Sequence, residues 1–353
     1  METKVIKIDR KNIEPKDFEE AARILRSGGL VAFPTETVYG LGGNALDPSA
    51  SQKIYAAKGR PSDNPLIVHI AEVSDMEKLG TDIPKEAYAL AGRFWPGPMT
   101  MILKKKDIVP KETTGGLDTV AVRLPSDKIA RTLIKVSGVF IAAPSANSSG
   151  RPSPTTAEHV IEDLSGKIDM IIDGGHCDIG LESSIIDLSG DKPLILRPGF
   201  ITAEDFKNVV GDAEYDKAVI AKKADKNIVA KAPGMKYKHY APKGQITIVE
   251  GTREHVAKKI AALYEEGIRS GKKCAVMISE ENSGLYGDIK KYLIGKRSDP
   301  ITIASHLFDT LRLLDEDGAE LIFSESFDGL NLSEAIMNRL RKAAGYSIIN
   351  TEE

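Results

Sequence analysis

The sequence predicts an α/β protein with two domains. Short apolar strands alternate with amphipathic helices through most of the chain. Its 353 residues exceed what one hydrophobic core usually organises. A basic, aromatic and proline-rich stretch interrupts the alternation. We therefore predict a domain over residues 1–211, a linker over 212–244 and a second α/β domain over 245–353.

The amino-acid composition argues against several classes of protein. The net charge is −3, so there is no overall attraction to nucleic acid or to anionic membranes. The two cysteines, Cys177 and Cys274, are far apart, which argues against a disulfide framework and a cysteine-based zinc site. The first residues lack the apolar core of a signal peptide, and no apolar run reaches the length of a membrane span. We expect a cytoplasmic protein without a membrane segment.

The chain opens with a helix, a strand and a polar loop. Residues 15–26 carry an apolar stripe at helical spacing, and residues 30–33 form a short apolar strand. A glycine-rich loop is predicted over 34–45, with Thr35 and Thr37 as candidate ligand donors. Its G-x-G-x-x-A pattern is not a dinucleotide fingerprint, because a polar stretch separates the strand from the glycines. The loop either frames a polar ligand or is a plain turn.

Two cations follow the next predicted helix, residues 51–57. Lys58 and Arg60 flank a glycine that suits a helix end, and Asn64 lies in the proline-stiffened loop behind them. His69 is in the strand that follows. The stretch indicates either an anion-binding corner or a solvated helix end beside a core histidine.

Arg123 lies in an otherwise apolar strand, residues 119–124, which begins at Thr119. A buried arginine is strongly destabilising unless it is paired. Arg123 therefore requires either an acidic partner inside the protein or an anionic ligand.

Hydroxyl groups gather where the later strands end. Ser145 follows the strand that ends at Ala143, Ser153 lies a little further on, and Ser183 and Arg197 belong to the next strand pair. Ligands of α/β sheets usually bind at such strand ends. The remaining predicted elements of this domain are helices 84–95, 126–136 (capped by Ser126), 155–164 and 202–210, strands 99–103, 139–143, 168–172, 183–188 and 194–197, and a loop at 111–118.

The linker and the second domain are less distinctive. The stretch KAPGMKYKHYAPKG, residues 231–244, is either a spacer or a segment that covers a nucleotide through stacking and phosphate contacts. The second domain repeats the α/β alternation, which implies a small, mainly parallel sheet. Its predicted elements are strands 246–249, 274–278, 292–295 and 321–323 and helices 253–269, 301–314 and 333–344.

These motifs resemble the YrdC-like family. K-G-R at 58–60 and S-A-N at 145–147 match its signature, and FPTETVYGLG, DNPL and ESS, which start at Phe33, Asp63 and Glu182, fit it too. PGMKYKHYAP in the linker, followed by a second domain, is similar to the long two-domain form, the L-threonylcarbamoyladenylate synthases. The resemblance covers nearly the whole chain. It implies a twisted, open N-terminal α/β sheet with a concave cavity and a smaller, Rossmann-like C-terminal domain.

The resemblance also implies an activity. The protein would be a nucleotidyltransferase that joins L-threonine, bicarbonate and ATP into threonylcarbamoyl-AMP and pyrophosphate, and would supply the tRNA threonylcarbamoyl-transferase machinery that makes t6A. Mg²⁺ is expected with ATP, and Lys58 and Arg60 would be catalytic. The implied ATP ligands are Lys58, Arg60, Asn64, Thr119, Ser145, Ser153, Arg197 and Tyr237. The implied threonine ligands are Thr37, His69, Arg123, the backbone of Ala143, and Ser183.

Other functions stay open for such a basic face. The main alternative is a double-stranded RNA-binding or ribosome-assembly factor of the same fold, for which the lysines and tyrosines of the linker would provide an RNA contact. A carbamoyl-phosphate enzyme of the hydrogenase-maturation type would need acylphosphatase and zinc-binding segments, which the sequence lacks.

Overall fold

The computed structural model describes residues 2–220, 230–233, 240–330 and 332–352. Their contacts divide the chain into two compact units. The first comprises Met1–Ser149 and Ser153–Tyr237, and the second Gly150–Pro152 and Lys238–Glu353. A short piece of the N-terminal half thus groups with the C-terminal unit, where Arg312 Nη2 donates to the Pro152 carbonyl at 2.7 Å. The predicted segments 1–211, 212–244 and 245–353 stay a prediction.

The first unit is built on an eleven-stranded mixed sheet. Its strands are β1 Lys4–Lys7, β2 Val31–Phe33, β3 Gly40–Asn44, β4 Ile67–His69, β5 Met99–Lys104, β6 Thr119–Arg123, β7 Ile141–Ala143, β8 Met170–Asp173, β9 Ser184–Asp187, β10 Leu194–Arg197 and β11 Glu214–Tyr215. They lie side by side in the order β1-β8-β2-β3-β7-β4-β6-β5-β9-β10-β11. The predicted α/β class of the N-terminal domain is confirmed.

Helices flank this sheet. They are α1 Glu19–Arg26, α2 Pro48–Lys58, α3 Met76–Leu79, α4 Lys85–Phe94, α5 Lys111–Thr114, α6 Lys128–Ser137, α7 Ala157–Leu164, α8 Ala203–Val210 and α9 Lys217–Ile220, with 3-10 turns at Pro15–Phe18 and Val73–Asp75. On one face of the sheet, apolar side chains of the central strands join those of α2, α4, α7 and α8 in the main core.

The other face of the central strands carries a separate apolar cluster. Ile67, Ile102 and Ala121 pack there with Ala232, which is fully buried. Side chains two residues apart on a strand point to the same face. His69 and Arg123 therefore project from the same face as Ile67 and Ala121, and this face holds the candidate site.

Three local predictions for the first unit need correction, and one strand was missed. Residues 40–44 form a buried strand and not a loop, because glycine allows close packing: a Cβ on Gly42 would lie 2.7 Å from Ile141 Cγ2. Asp127, and not Ser126, caps α6, because its carboxylate accepts hydrogen bonds from the first-turn amides of Ile129 and Ala130. The predicted loop at 111–118 begins with the short helix α5, and β1 was not predicted.

The second unit contains a five-stranded sheet in which every pair is parallel. The strand order is β14-β13-β15-β12-β16. This confirms the predicted small parallel sheet, and the more specific Rossmann-like description stays a prediction. The elements are strands β12 Gln245–Glu250, β13 Cys274–Ile278, β14 Lys291–Leu293, β15 Leu321–Glu325 and β16 Ile348–Asn350, helices α10 Arg253–Arg269, α11 Pro300–Glu316 and α12 Ser333–Ala343, and a 3-10 segment Glu280–Tyr286.

Within the described parts of both units, every helix is too short or too polar to cross a membrane.

Candidate functional site

Strand register brings the first group of polar side chains together. Strands β4 and β6 pair in parallel and set His69 beside Arg123. Strand β5 runs antiparallel to β6 and places Thr100 opposite Arg123. All three side chains are buried. The sheet itself, rather than a flexible loop, therefore fixes their positions.

Glu36 is the acidic partner of Arg123. Arg123 Nη2 lies 2.8 Å from Glu36 Oε1, and both side chains are less than a tenth exposed. Burial favours the neutral form of Glu36, but the adjacent charge of Arg123 opposes burial, and the pKa of Glu36 is lowered from its usual value. The contact lacks hydrogen-bond geometry. It leaves Arg123 Nε and Nη2 and both Glu36 oxygens without a hydrogen-bond partner among the described residues.

His69 is held as a neutral imidazole. Burial, followed by the neighbouring Arg123 charge, lowers the pKa of His69 to about 3. Its Nδ1 lies 3.1 Å from the Ile67 carbonyl, and its ring packs edge-on against Phe33 at a centroid distance of 6.1 Å. The imidazole is thus oriented on both sides and carries no charge at neutral pH.

A hydroxyl chain extends the site toward β9 and β10. Thr100 Oγ1 and Ser183 Oγ lie 2.8 Å apart. Arg197 Nη2 donates to Ser183 Oγ at 3.1 Å, and Arg197 Nε donates to the Ser183 carbonyl at 2.9 Å. Arg197 Nη1 also donates to the carbonyl of Pro233, at 3.5 Å. A described residue of the predicted linker therefore contacts one of the predicted ATP ligands.

Thr37 and Ala143 border the same part of the sheet. Thr37 is fully buried, and its Oγ1 lies 2.8 Å from Thr35 Oγ1, which donates to the Val38 carbonyl. Ala143 ends β7 and pairs with Ile67 of β4. The threonine set predicted from the resemblance thus occupies neighbouring strands and the loop after β2.

Lys58 joins the end of α2 to the loop after β7. Its ammonium group donates to the carbonyls of Ser145, at 2.6 Å, and of Asn147, and it lies 3.2 Å from Asn147 Oδ1. Ser145 Oγ donates to the same amide oxygen at 2.6 Å. Gly59 takes the left-handed conformation (φ 62°) that the predicted helix end requires. Lys58 is 4% exposed, so it is not a solvated helix-end lysine.

The next predicted ATP ligands are Arg60, Asn64 and Thr119. Arg60 Nε and Nη2 each donate to the Asn64 carbonyl at 3.3 Å, which folds the guanidinium back onto its own loop. Thr119 begins β6 whereas Arg123 ends it. At about 3.3 Å per residue, these two residues lie roughly 13 Å apart along the strand. Thr119, a predicted ATP ligand, is therefore well separated from Arg123, a predicted threonine ligand.

Two predicted ATP ligands remain, Ser153 and Tyr237. Ser153 Oγ donates to Glu182 Oε1 at 2.6 Å, and both residues are buried. Tyr237 lies outside the described residues.

Sequence reasoning missed two members of the site, Glu36 and Thr100. Glu36 could have been found, because a buried Arg123 requires an acid and the adjacent P-T-E-T loop contains one. Thr100 gives no such signal, since a threonine within a strand is common and only the pairing of β5 with β6 brings it opposite Arg123.

Two family models match the chain in succession. Residues 23–199 match the family of Sua5, YciO and YrdC proteins described as Telomere recombination. Residues 201–345 match the family described as Threonylcarbamoyl-AMP synthase, C-terminal domain.

Curated relatives match over nearly the full length. The threonylcarbamoyl-AMP synthase of Pyrococcus abyssi is 50% identical over 96% of this chain and 97% of its own. That of Bacillus subtilis is 46% identical over 97% and 96%.

Solved structures agree with these matches. The crystal structure of P. abyssi Sua5 complexed with L-threonine is 49% identical, covers 99% of each chain and superposes with a TM-score of 0.93. Escherichia coli YciO is 26% identical, covers 56% of this chain and 95% of its own, and gives a TM-score of 0.50. The chain belongs to the threonylcarbamoyl-AMP synthase family.

Proposed function

We propose that this protein makes threonylcarbamoyl-AMP and pyrophosphate from L-threonine, bicarbonate and ATP. The product would be consumed by the tRNA threonylcarbamoyl-transferase machinery. The observation that carries the proposal is the buried pair of Arg123 and Glu36, in which polar atoms of both side chains have no hydrogen-bond partner among the described residues.

This pair suits an amino-acid zwitterion. Arg123 Nε and Nη2, which have no hydrogen-bond partner among the described residues, are donors for a carboxylate, and the Glu36 oxygens, in the same condition, are acceptors for an amine. Neutral His69 and the hydroxyls of Thr37 and Ser183 provide weaker, uncharged contacts around them. The backbone of Ala143 completes the set. In support, the P. abyssi structure was solved as a complex with L-threonine.

ATP would lie along the remaining part of the face. The reaction needs the threonine carbamate to attack the α-phosphorus while pyrophosphate leaves, so negative charge grows on phosphate oxygens. Lys58, Arg60 and Arg197 are the cations that would balance it, and their positions are largely fixed by protein contacts before any ligand binds. Asn64, Thr119, Ser145 and Ser153 would hold the rest of the nucleotide.

The predicted linker would cover the bound substrates. Ala232 is fully buried against Ile67, Ile102 and Ala121, and the Pro233 carbonyl accepts from Arg197. A cover of this kind would exclude water from a labile acyl-adenylate. Tyr237 would belong to the same cover.

Mg²⁺ would bind with the phosphates of ATP, as is usual for nucleotide-dependent transfer. The described residues contain no group of three or more His, Cys, Asp or Glu side chains that could cage a metal ion. The cations named above would supply the protein's own part in charge stabilisation.

Product analysis tests the proposal. Full-length protein is incubated with ATP, Mg²⁺, bicarbonate and each amino acid in turn. Mass spectrometry should detect the carbamoyl-adenylate product only when the amino acid is threonine. Arg60→Ala should lower pyrophosphate release by about 100-fold, whereas the exposed Arg26→Ala should not change it. Salt-dependent RNA binding without ATP consumption would contradict the proposal and favour the RNA-binding alternative.

A further inference from the structure

The second unit contains a cavity that the proposed reaction does not use. It has a volume of about 210 Å³. Arg253, Glu281, Arg297, Glu325 and Ser326 are among the side chains that line it. All of these residues belong to the second unit.

The cavity lies where a parallel sheet usually binds ligands. Residues that follow β12, β13, β14 and β15 line it, so it is at the carboxyl ends of the strands. The carboxyl ends of the strands are the usual ligand position in open α/β sheets.

The two carboxylates of the cavity are already satisfied. Buried Glu325 accepts hydrogen bonds from Ser279, Asn282 and Tyr286, and Arg297 Nη1 lies 3.5 Å from its Oε2. Glu281 accepts from the backbone amides of Arg297 and Ser298 and from the Ser298 hydroxyl. A carboxylate has about four acceptor positions, so neither group keeps much capacity for a ligand.

The hydrogen-bond donors of the cavity still have N–H groups available for a ligand. Arg297 is held by Glu325 and by the Ser326 carbonyl, at 3.1 Å and 3.2 Å, and by the face of Phe327. Arg253 makes one hydrogen bond among the described residues, from Nη2 to the Glu281 carbonyl. Each guanidinium has five N–H groups, so several remain for a ligand. Arg253 also begins the 17-residue helix α10, whose first turn adds partial positive charge.

We propose that this cavity binds a compact oxyanion of the phosphate class. The unspent capacity consists of N–H donors, which an acceptor-rich anion complements. The volume is below the usual range of drug-sized pockets, about 300–1,000 Å³, so the ligand is small. Three sources share this chemistry: inorganic phosphate, pyrophosphate and the phosphate of a nucleoside monophosphate.

Hydrogen–deuterium exchange of the full-length protein locates the binding. Phosphate, pyrophosphate or AMP, added separately, should slow exchange of the amides at 251–256 and 295–298, and the most effective anion identifies the source. This readout is independent of the N-terminal site and of catalysis. Absence of protection at both segments with all three anions overturns the proposal.

A matched pair of variants adds a second test. Arg253→Gln removes one exposed donor of the cavity and should lower the affinity for the protecting anion by about tenfold. Arg269→Gln makes the same charge change at the other end of α10 and should bind as the wild type does. Equal affinity of both variants overturns the proposal. Circular dichroism confirms that each variant is folded.

Discussion

Arg123 and Glu36 form a buried ion pair that leaves hydrogen-bonding groups of both side chains unsatisfied. Their closest atoms are 2.8 Å apart, yet N–H groups on one side and oxygens on the other have no hydrogen-bond partner among the described residues. Buried ion pairs are often no more stable than apolar replacements, so stability alone is a weak reason for such a pair. Binding of a ligand that carries both a positive and a negative charge is a better reason for this pair.

Arg123→Ala should raise the KM for threonine more than the KM for ATP. The change removes the proposed carboxylate donor and leaves Glu36 buried and unpaired, so unfolding should also become easier by about 3–5 kcal/mol. Steady-state kinetics with each substrate varied, together with urea unfolding, measures both effects. The exposed Arg23→Ala serves as the control. A larger effect on ATP would mean that the two ligands are assigned the wrong way round.

His69 should make stability fall in acid. Its pKa is about 3 in the folded protein against 6.5 for the free side chain, so between these values the unfolded state binds more protons and stability decreases as pH falls. The slope from this residue approaches about 1.4 kcal/mol per pH unit.

Denaturant unfolding at several pH values from 7 to 4 measures this contribution. His69→Gln should show a shallower loss of stability than the wild type below pH 6.5. Identical pH profiles would show that His69 titrates normally in the folded protein.

Thr100→Val should impair threonine binding although Thr100 is not itself one of the predicted threonine ligands. The substitution removes the hydroxyl beside Ser183, whose own hydroxyl still accepts a hydrogen bond from Arg197. We expect a severalfold higher KM for threonine. Thr113→Val is the control, because Thr113 is equally buried but bonds to Ser51 and Ala45. Both variants should lose roughly 1–2 kcal/mol of stability. Equal kinetics for both would limit Thr100 to a structural role.

Ala232→Asp should open the proposed cover. A carboxylate does not fit among Ile67, Ile102 and Ala121, so the segment should detach locally while the sheet stays folded. We expect more free threonine and AMP relative to intact threonylcarbamoyl-AMP, quantified by mass spectrometry. The exposed Lys231→Ala is the neighbouring control. An unchanged product ratio would reduce this segment to a spacer.

Much of the fold follows from local pattern. The periodicity of apolar residues predicts α10, β13 and β10 to the residue, and glycine and polar caps mark most helix ends. The strand β3 was missed because its glycines are unfavourable in an isolated strand. The close approach of neighbouring side chains explains them: Phe33 and Ile141 at Gly42, and Ala50 and Ile54 at Gly43.

The sequence by itself determined the α/β class, the family and the need of Arg123 for a negative partner, because these depend on composition, motif and the instability of a buried unpaired charge. Tertiary structure decided the rest. Strand order and register set His69 beside Arg123 and Thr100 opposite it, while the first polar loop supplies Glu36. These residues are far apart in the chain, and pairing between distant strands is a property of the whole sheet that no local stretch encodes.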